Sequence, residues 1–241
     1  MRAEPGLSKR ASLERMKAAG LEPRTVIDVG FATGTPGLYG VFDDVRYVMV
    51  EPLKESLPFM NAIVEHYPGS VAINAAAGRT AGEASFVVTP NLSGSSFTLS
   101  PKRGEHRTVP MVTLDEVAAA HAVAGPCFLK LDVQGYELEA LAGAEALLAD
   151  TCGIIVEVSL WADRKQKGMA EFFPLVGWLH AHGFVLYDIC QIVRRDLDDA
   201  ITEMDMVFVP AASPLRAVTS YKPPSQSQAS TEKRRRDFGL A

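Results

Sequence analysis

Cysteine is scarce in this chain, with three in 241 residues. Cys127, Cys152 and Cys190 are odd in number, widely spaced and set in apolar surroundings, which fits reduced core thiols better than a disulfide framework or a zinc site, and no CxxC is present. A long apolar run is lacking too. Nothing approaches the roughly 18 residues that a membrane-spanning helix needs, and the N-terminus MRAEPGLSKRASLERMK carries charges where a secretory leader needs an apolar core. A cytoplasmic protein without a membrane span is the expectation. Charge of one sign is equally sparse. The formal net charge is −5 and no basic face or long acidic block runs through the body of the sequence, so nucleic acid and anionic lipid are not expected as partners. No internal repeat is visible.

What the chain does have is apolar residues, 47% of the total, enough to bury a core, and a length below about 250 residues fits one domain. Residues 8–20 read as an amphipathic helix stopped by Gly20, with Leu13, Met16 and Lys17 on one face. The main domain is expected over 21–210. Its apolar runs TVIDVG (25–30), RYVMVEP (46–52), SVAINAAAG (70–78), CFLKLDV (127–133), GIIVEVSL (153–160) and FVLYDIC (184–190) alternate with helical patterns at 53–67, 136–150 and 169–183, and MDMVFVP (204–210) reads as a last strand. Such alternation indicates βαβ units and an α/β fold with a mostly parallel sheet. Pro58 and Pro174 belong in a first turn or at a kink. Before the fourth strand, residues 84–117 alternate with turn signals, which predicts a β-hairpin insertion overhanging the strand ends, capped by a short helix after Thr113. Residues 211–241, rich in Pro, Ser and Gln, are expected to be a disordered tail whose KRRR run is solvated.

Chemistry is expected at the carboxyl ends of the strands, where parallel α/β sheets place their ligands. In VIDVGFATGT a strand meets Gly30 and Gly34, followed by a helix opened by Thr35 and Pro36. Gly30 permits the sharp turn and Gly34 a close ligand approach. A dinucleotide fingerprint needs G-x-G-x-x-G, and here its second and third glycines are Ala32 and Thr35. Asp28 aims a carboxylate at the turn, which repels a pyrophosphate and welcomes the amino group of a methionine moiety, favouring S-adenosylmethionine over NAD. Glu51 ends the second strand, placed to accept two hydrogen bonds from ribose hydroxyls. NAAAG (74–78) offers either a flat slot for an adenine ring or close helix packing. In FLKLDVQGYELEAL (128–141), Asp132 ends its strand at the same rim. Lys130 shares a strand face with it and can pair with it or with a neighbouring carboxylate. Glu137 suits the positive end of the following helix, and Glu157 is expected beside Asp132.

These motifs, in order and spacing, resemble the FkbM family of S-adenosylmethionine-dependent methyltransferases: VIDVGFATG, VEP, AAAG, the SGSS turn at 93–96, VTLDE, FLKLDVQGYELEALAGAEALL, IIVEVS and MDMVFV. The resemblance spans about residues 21–210. It implies a Rossmann-like methyltransferase fold of seven strands with the last antiparallel, and O-methylation of a hydroxyl on a sugar, glycolipid, polyketide or other secondary metabolite. It implies cofactor contacts at Asp28, Gly30, Gly34 and Glu51, to which Phe31, Pro52 and Ala76 are added as neighbours in the same turns. Phe31 departs from a small residue common in the family, and Gln134 stands where many members have Glu. Residues 161–173 match poorly.

An alcohol must lose its proton to accept a methyl group, which requires a base or a metal. Asp132 is the leading candidate base, with Glu157 beside it and His106 in the insertion next. Alternatively Asp132 and Glu157 together hold a divalent cation such as Mg. Lys102, Arg103 and Arg107 are either a grip for an anionic acceptor or a solvated loop. The acceptor is expected to be a small molecule or glycan, and a homodimer is the expected assembly. Two other functions fit the residues: an NAD-dependent oxidoreductase, and a non-catalytic interaction module on the same fold.

Overall fold

The apolar runs of the sequence become the centre of one sheet, because strands without a polar face are stable only where both sides are covered. The computed structural model describes residues 2–3, 7–35, 37–42, 44–90, 92, 94–97, 102, 104–161, 172–221, 233 and 235–238. In chain order these hold β1 (Arg2–Ala3), α1 (Lys9–Ala18), β2 (Thr25–Val29), β3 (Arg46–Val50), α2 (Leu57–His66), β4 (Val71–Ile73), β5 (Ala76–Ala77), β6 (Gly82–Val88), β7 (Glu105–Val112), α3 (Leu114–Ala120), β8 (Cys127–Leu131), α4 (Glu137–Ala142), α5 (Glu145–Leu148), β9 (Thr151–Ser159), α6 (Phe172–Ala181), β10 (Phe184–Arg194) and β11 (Ile201–Pro210).

The main sheet runs β1-β10-β11-β9-β8-β2-β3-β4. Strands β4, β3, β2, β8 and β9 are parallel, and β11 lies antiparallel between β9 and β10. This is the mostly parallel seven-stranded sheet expected, with its last strand reversed and the two-residue β1 added at the edge beside β10. Central strands β2 and β8 are buried throughout. On one face Ile27, Leu129 and Ile154 pack with Leu114, Leu141, Leu147 and Leu175 of α3 to α6. On the other, Val26, Phe128 and Tyr47 pack with Leu13 and Met16 of α1 and Met60 of α2. Ser8 caps α1 by accepting from the Ala11 amide at 3.1 Å. No helix among the described residues is long and apolar enough to cross a membrane.

Four expectations change. The helix predicted after β2 is not formed among the described residues of 31–42, where turns and bends stand instead; Pro36 lies outside the described residues. Gly34, Gly37 and Gly40 have φ of +107°, +93° and +74°, a left-handed geometry recurring every third residue that no right-handed helix accommodates. The loop is strapped to α1 instead: Arg10 donates to the Tyr39 carbonyl at 2.9 Å and Lys17 Nζ to the Val41 carbonyl at 2.8 Å. Second, the 70–78 run splits, β4 staying in the main sheet while β5 joins a three-stranded sheet of order β5-β7-β6. In it β6 and β7 are antiparallel and β5 is parallel to β7. Third, the 136–150 helix breaks into α4 and α5 at Gly143. Fourth, the described part of the C-terminal stretch carries a short 3-10 turn at Pro214–Arg216. Residues 222–232 of that tail, 169–171 of the predicted sixth helix and most of the 161–173 stretch lie outside the described residues.

Candidate active site

Three strand ends are stitched together at one rim of the sheet. The Gly30 amide donates to the Val50 carbonyl at 3.0 Å and the Asp132 amide to the Val29 carbonyl at 3.1 Å, so the turns after β2, β3 and β8 meet. Gly30 stands at φ +78°, and a Cβ there would overlap the Asp132 carbonyl; only glycine fits. Glu51, 4% exposed, is held from both sides. The Ala32 amide donates to its Oε2 at 2.8 Å and the Leu53 amide to its Oε1 at 3.0 Å. Burial pushes its proton affinity up, and these two backbone donors counter only part of the rise.

Behind the rim lies a fully internal ion pair. Lys130 Nζ stands 3.0 Å from Asp28 Oδ1 and donates to the Gly30 carbonyl at 2.7 Å, propping the turn from within. Thr35 Oγ1 and the Tyr39 hydroxyl donate to Asp28 Oδ2 at 3.0 and 2.7 Å. The Asp28 carboxylate, expected to face a ligand, is thus engaged inside the protein.

The loop after β8 carries the acids. Asp132, 27% exposed in its side chain, stands with Oδ1 3.1 Å from Gln134 Nε2, which also reaches Glu157 Oε1 at 3.3 Å. Burial, then the Asp132 charge, raises the Glu157 proton affinity well above the ordinary carboxyl range. Glu137 is buried, and its Oε1 accepts from the Val133 and Gly135 amides at 3.0 and 3.1 Å; burial pushes its pKa up to about 7.

A cleft open to solvent lies over this rim, with about 710 Å³ of empty space out to its mouth. Of the candidate site residues, Gly30, Glu51, Pro52, Ala76 and Asp132 line it; Asp28, Phe31, Gly34, Glu157 and His106 are not in its wall. Phe31 is packed in the core on the α1 side. Glu157 is one residue behind, reached through Gln134. His106 is exposed on β7 with Nδ1 3.3 Å from Ser85 Oγ.

The far wall comes from residues that the sequence reading did not assign: Leu53, Phe86, Leu92, Phe97 and Tyr136. Phe97 stands 4.8 Å from both Phe86 and Tyr136, ring centre to ring centre, so the insertion overhangs the strand ends as an aromatic wall. A signal existed in ASFVV, whose alternation puts Ala84, Phe86 and Val88 on one face. Arg107, expected with Lys102 and Arg103 as an anion grip, is engaged by Glu55 at 2.7 Å and Glu105 at 2.9 Å and ties the insertion to the chain before α2. Lys102 is exposed, and Arg103 lies outside the described residues.

The metal expectation does not fit this geometry. Asp132 and Glu157 are bridged by an amide donor, and no group of three or more His, Cys, Asp or Glu among the described residues is arranged to hold a metal ion. A hard divalent cation takes six or more oxygen ligands.

A family model described as "Methyltransferase FkbM domain" matches residues 40–186, more than half of the chain. No curated protein matches it. Solved structures similar to it include an uncharacterized protein from Listeria monocytogenes, at 14% identity and TM-score 0.42 over 88% of this chain and 70% of that one. Another is magnesium protoporphyrin IX methyltransferase from Synechocystis with bound SAM, at 9% identity and TM-score 0.43 over 84% and 77%. A third is an O-methyltransferase from Bacillus cereus in complex with SAH, at 14% identity and TM-score 0.42 over 86% and 81%.

Proposed function

Because the chain belongs to the FkbM methyltransferase domain family, we propose that it transfers the methyl group of S-adenosylmethionine to a hydroxyl of a sugar, glycolipid, polyketide or other secondary metabolite. Glu51 carries the nucleoside-binding part of the reading. A carboxylate has about four acceptor positions, and the Ala32 and Leu53 amides use two of them. The remainder serve a ribose diol in the cleft. A nicotinamide cofactor presents the same diol, so it is the family, not this carboxylate, that separates the two cofactors. Gly30 lets the turn close against the Asp132 carbonyl, Pro52 and Ala76 bound the nucleoside, and Leu53, Phe86 and Phe97 give its base an apolar wall.

When bound, S-adenosylmethionine supplies a methyl group already activated by its sulfonium. The protein's work is then alignment, exclusion of water and removal of one proton. Asp132 faces the cleft and takes the acceptor's hydroxyl proton. Glu157, one hydrogen bond behind, supports that carboxyl and does not touch the acceptor. The apolar wall keeps bulk water from the transfer line. We place the reaction in the cytoplasm, in keeping with three unpaired cysteines.

Calorimetry with S-adenosylhomocysteine, with and without magnesium, tests the cofactor, and a labelled-methyl screen of cell extract tests the acceptor. Binding is expected in both conditions. Glu51→Gln is expected to weaken it about 10- to 100-fold, the loss of a charge-assisted hydrogen bond of about 1.5–3 kcal/mol. A wild-type protein that binds a nicotinamide cofactor and not S-adenosylhomocysteine would overturn the reading.

A further inference from the structure

The loop after β8 is shaped around one side chain. Gln134 stands at φ +55° and Gly135 at φ +93°. A left-handed glutamine is a strained conformation that persists only where its surroundings over-determine it. Three contacts do so. Ser96 Oγ, from the insertion, donates to the Gln134 carbonyl at 2.8 Å. Glu137 Oε1 takes the amides on either side, Val133 at 3.0 Å and Gly135 at 3.1 Å. The result is that Gln134 Nε2 lies between two acids, 3.1 Å from Asp132 Oδ1 and 3.3 Å from Glu157 Oε1. A side-chain amide nitrogen has two hydrogens, one for each carboxyl.

We propose that Gln134 is a positioning residue of methyl transfer, its side-chain amide tying the Asp132 carboxyl to Glu157 and so holding it off Lys130. The proposal rests on the reading of Asp132 as the group that takes the acceptor's proton. The competing pull is explicit in the geometry. Lys130 Nζ lies 3.9 Å from Asp132 Oδ2, on the interior side, and is already paired with Asp28 at 3.0 Å. Without the amide, Asp132 loses that hydrogen bond and turns inward to the ammonium, whose weakest donation, to the Val29 carbonyl at 3.4 Å, gives way to it. Gln134 therefore sets which way the carboxyl faces, and the insertion, through Ser96, sets where Gln134 stands.

Gln134→Met keeps the reach of the side chain and removes both donors. A crystal structure of that variant is expected to show Asp132 in contact with Lys130 at about 2.8 Å, the usual charge-assisted distance. Its affinity for S-adenosylhomocysteine by calorimetry is expected to stay within about threefold of wild type, because the amide hydrogens are committed to the acids. With the acceptor found in the labelled-methyl screen, kcat is expected to fall about 10- to 100-fold with KM for S-adenosylmethionine unchanged, the signature of a misaligned group. Asp132 remaining 3.9 Å or more from Lys130 in a Gln134→Met protein that binds S-adenosylhomocysteine would overturn the role of Gln134 and leave the cofactor reading intact. Failure of wild-type protein to bind S-adenosylhomocysteine would reject the cofactor reading, while the orientation of Asp132 still decides whether Gln134 holds it. If the variant does not fold, hydrogen exchange of the Gln134 side-chain amide in wild-type protein decides: slow exchange of both hydrogens supports the tie, and fast exchange rejects it.

Discussion

Lys130 carries its charge at 1% exposure, and everything around it is arranged to make that tolerable. Burial opposes the ammonium, yet Asp28 and then Asp132 hold its proton affinity above the ordinary lysine range. Its donors go to Asp28 Oδ1 and to the carbonyls of Gly30 at 2.7 Å and Val29 at 3.4 Å. Removing one partner of a buried pair leaves the other charge stranded at about 3–5 kcal/mol, whereas removing both together is often close to neutral. Lys130→Met is therefore expected to destabilise by about 3–5 kcal/mol in urea unfolding, and adding Asp28→Asn to it to recover more than half of that loss. A double variant no more stable than the single one would contradict a direct pairing. From the sequence, Lys130 has two possible partners, Asp132 on its own strand or a carboxylate on a neighbour. The register of β2 against β8, which sets Asp28 opposite Lys130, decides between them, and no local pattern encodes a register between strands about 100 residues apart.

At the scale of elements, what the sequence made legible were the strands and the acids at their ends, because a short apolar run and a terminal carboxylate are local facts. Glu51 and Asp132 could be placed at one rim for that reason. Asp28 could be placed at a strand end but not aimed, since Thr35, Tyr39 and Lys130 reach it from three separate segments. The break between α4 and α5 was illegible for a related cause. YELEALAGAEALLAD keeps a helical apolar spacing throughout, but the Gly143 position abuts the Gly78 carbonyl, and a Cβ there would collide with it. Asp115, from α3, then accepts from the Ala146 and Leu147 amides at 3.1 and 2.8 Å, capping the restarted helix from outside. The chain gives up a turn of helix so that the NAAAG segment can approach closely, and the same segment supplies Ala76 and Ala77 to the cleft wall. Gly143→Ala favours a continuous helix by propensity, by up to about 1 kcal/mol, but overpacking costs about 1–3 kcal/mol. A net loss of stability on thermal unfolding is the expected outcome; a gain would mean that the contact yields without strain.

Over the whole molecule, buried and half-buried acids set a pH dependence. Burial raises the proton affinity of Glu51, Glu137, Glu157, Glu203 and Asp205, although Lys9 at 3.0 Å counters part of the rise at Asp205. A carboxyl whose pKa is higher in the folded state binds more protons there than in the unfolded chain. Its contribution to stability is complete below the unfolded pKa and is lost as pH rises through the folded one. For Glu137 that window runs from the ordinary 4.5 to about 7, worth up to about 3–4 kcal/mol at 1.36 kcal/mol per pKa unit. Asp188 acts oppositely: against its burial, Ser12 and Arg15 hold its pKa below the usual value, so its share is lost as pH falls below the ordinary carboxyl range. Stability should therefore decline as pH rises from about 4.5 through about 7, where Glu137 releases its proton. Glu137→Gln tests the assignment because glutamine keeps an oxygen for the Val133 and Gly135 amides and has no proton to release in this range. In urea unfolding at pH 5 and pH 8 the variant should show a smaller difference between the two pH values than wild type, with its relative gain at pH 8. An unchanged difference would mean that Glu137 titrates as an ordinary carboxyl and that the decline has another source.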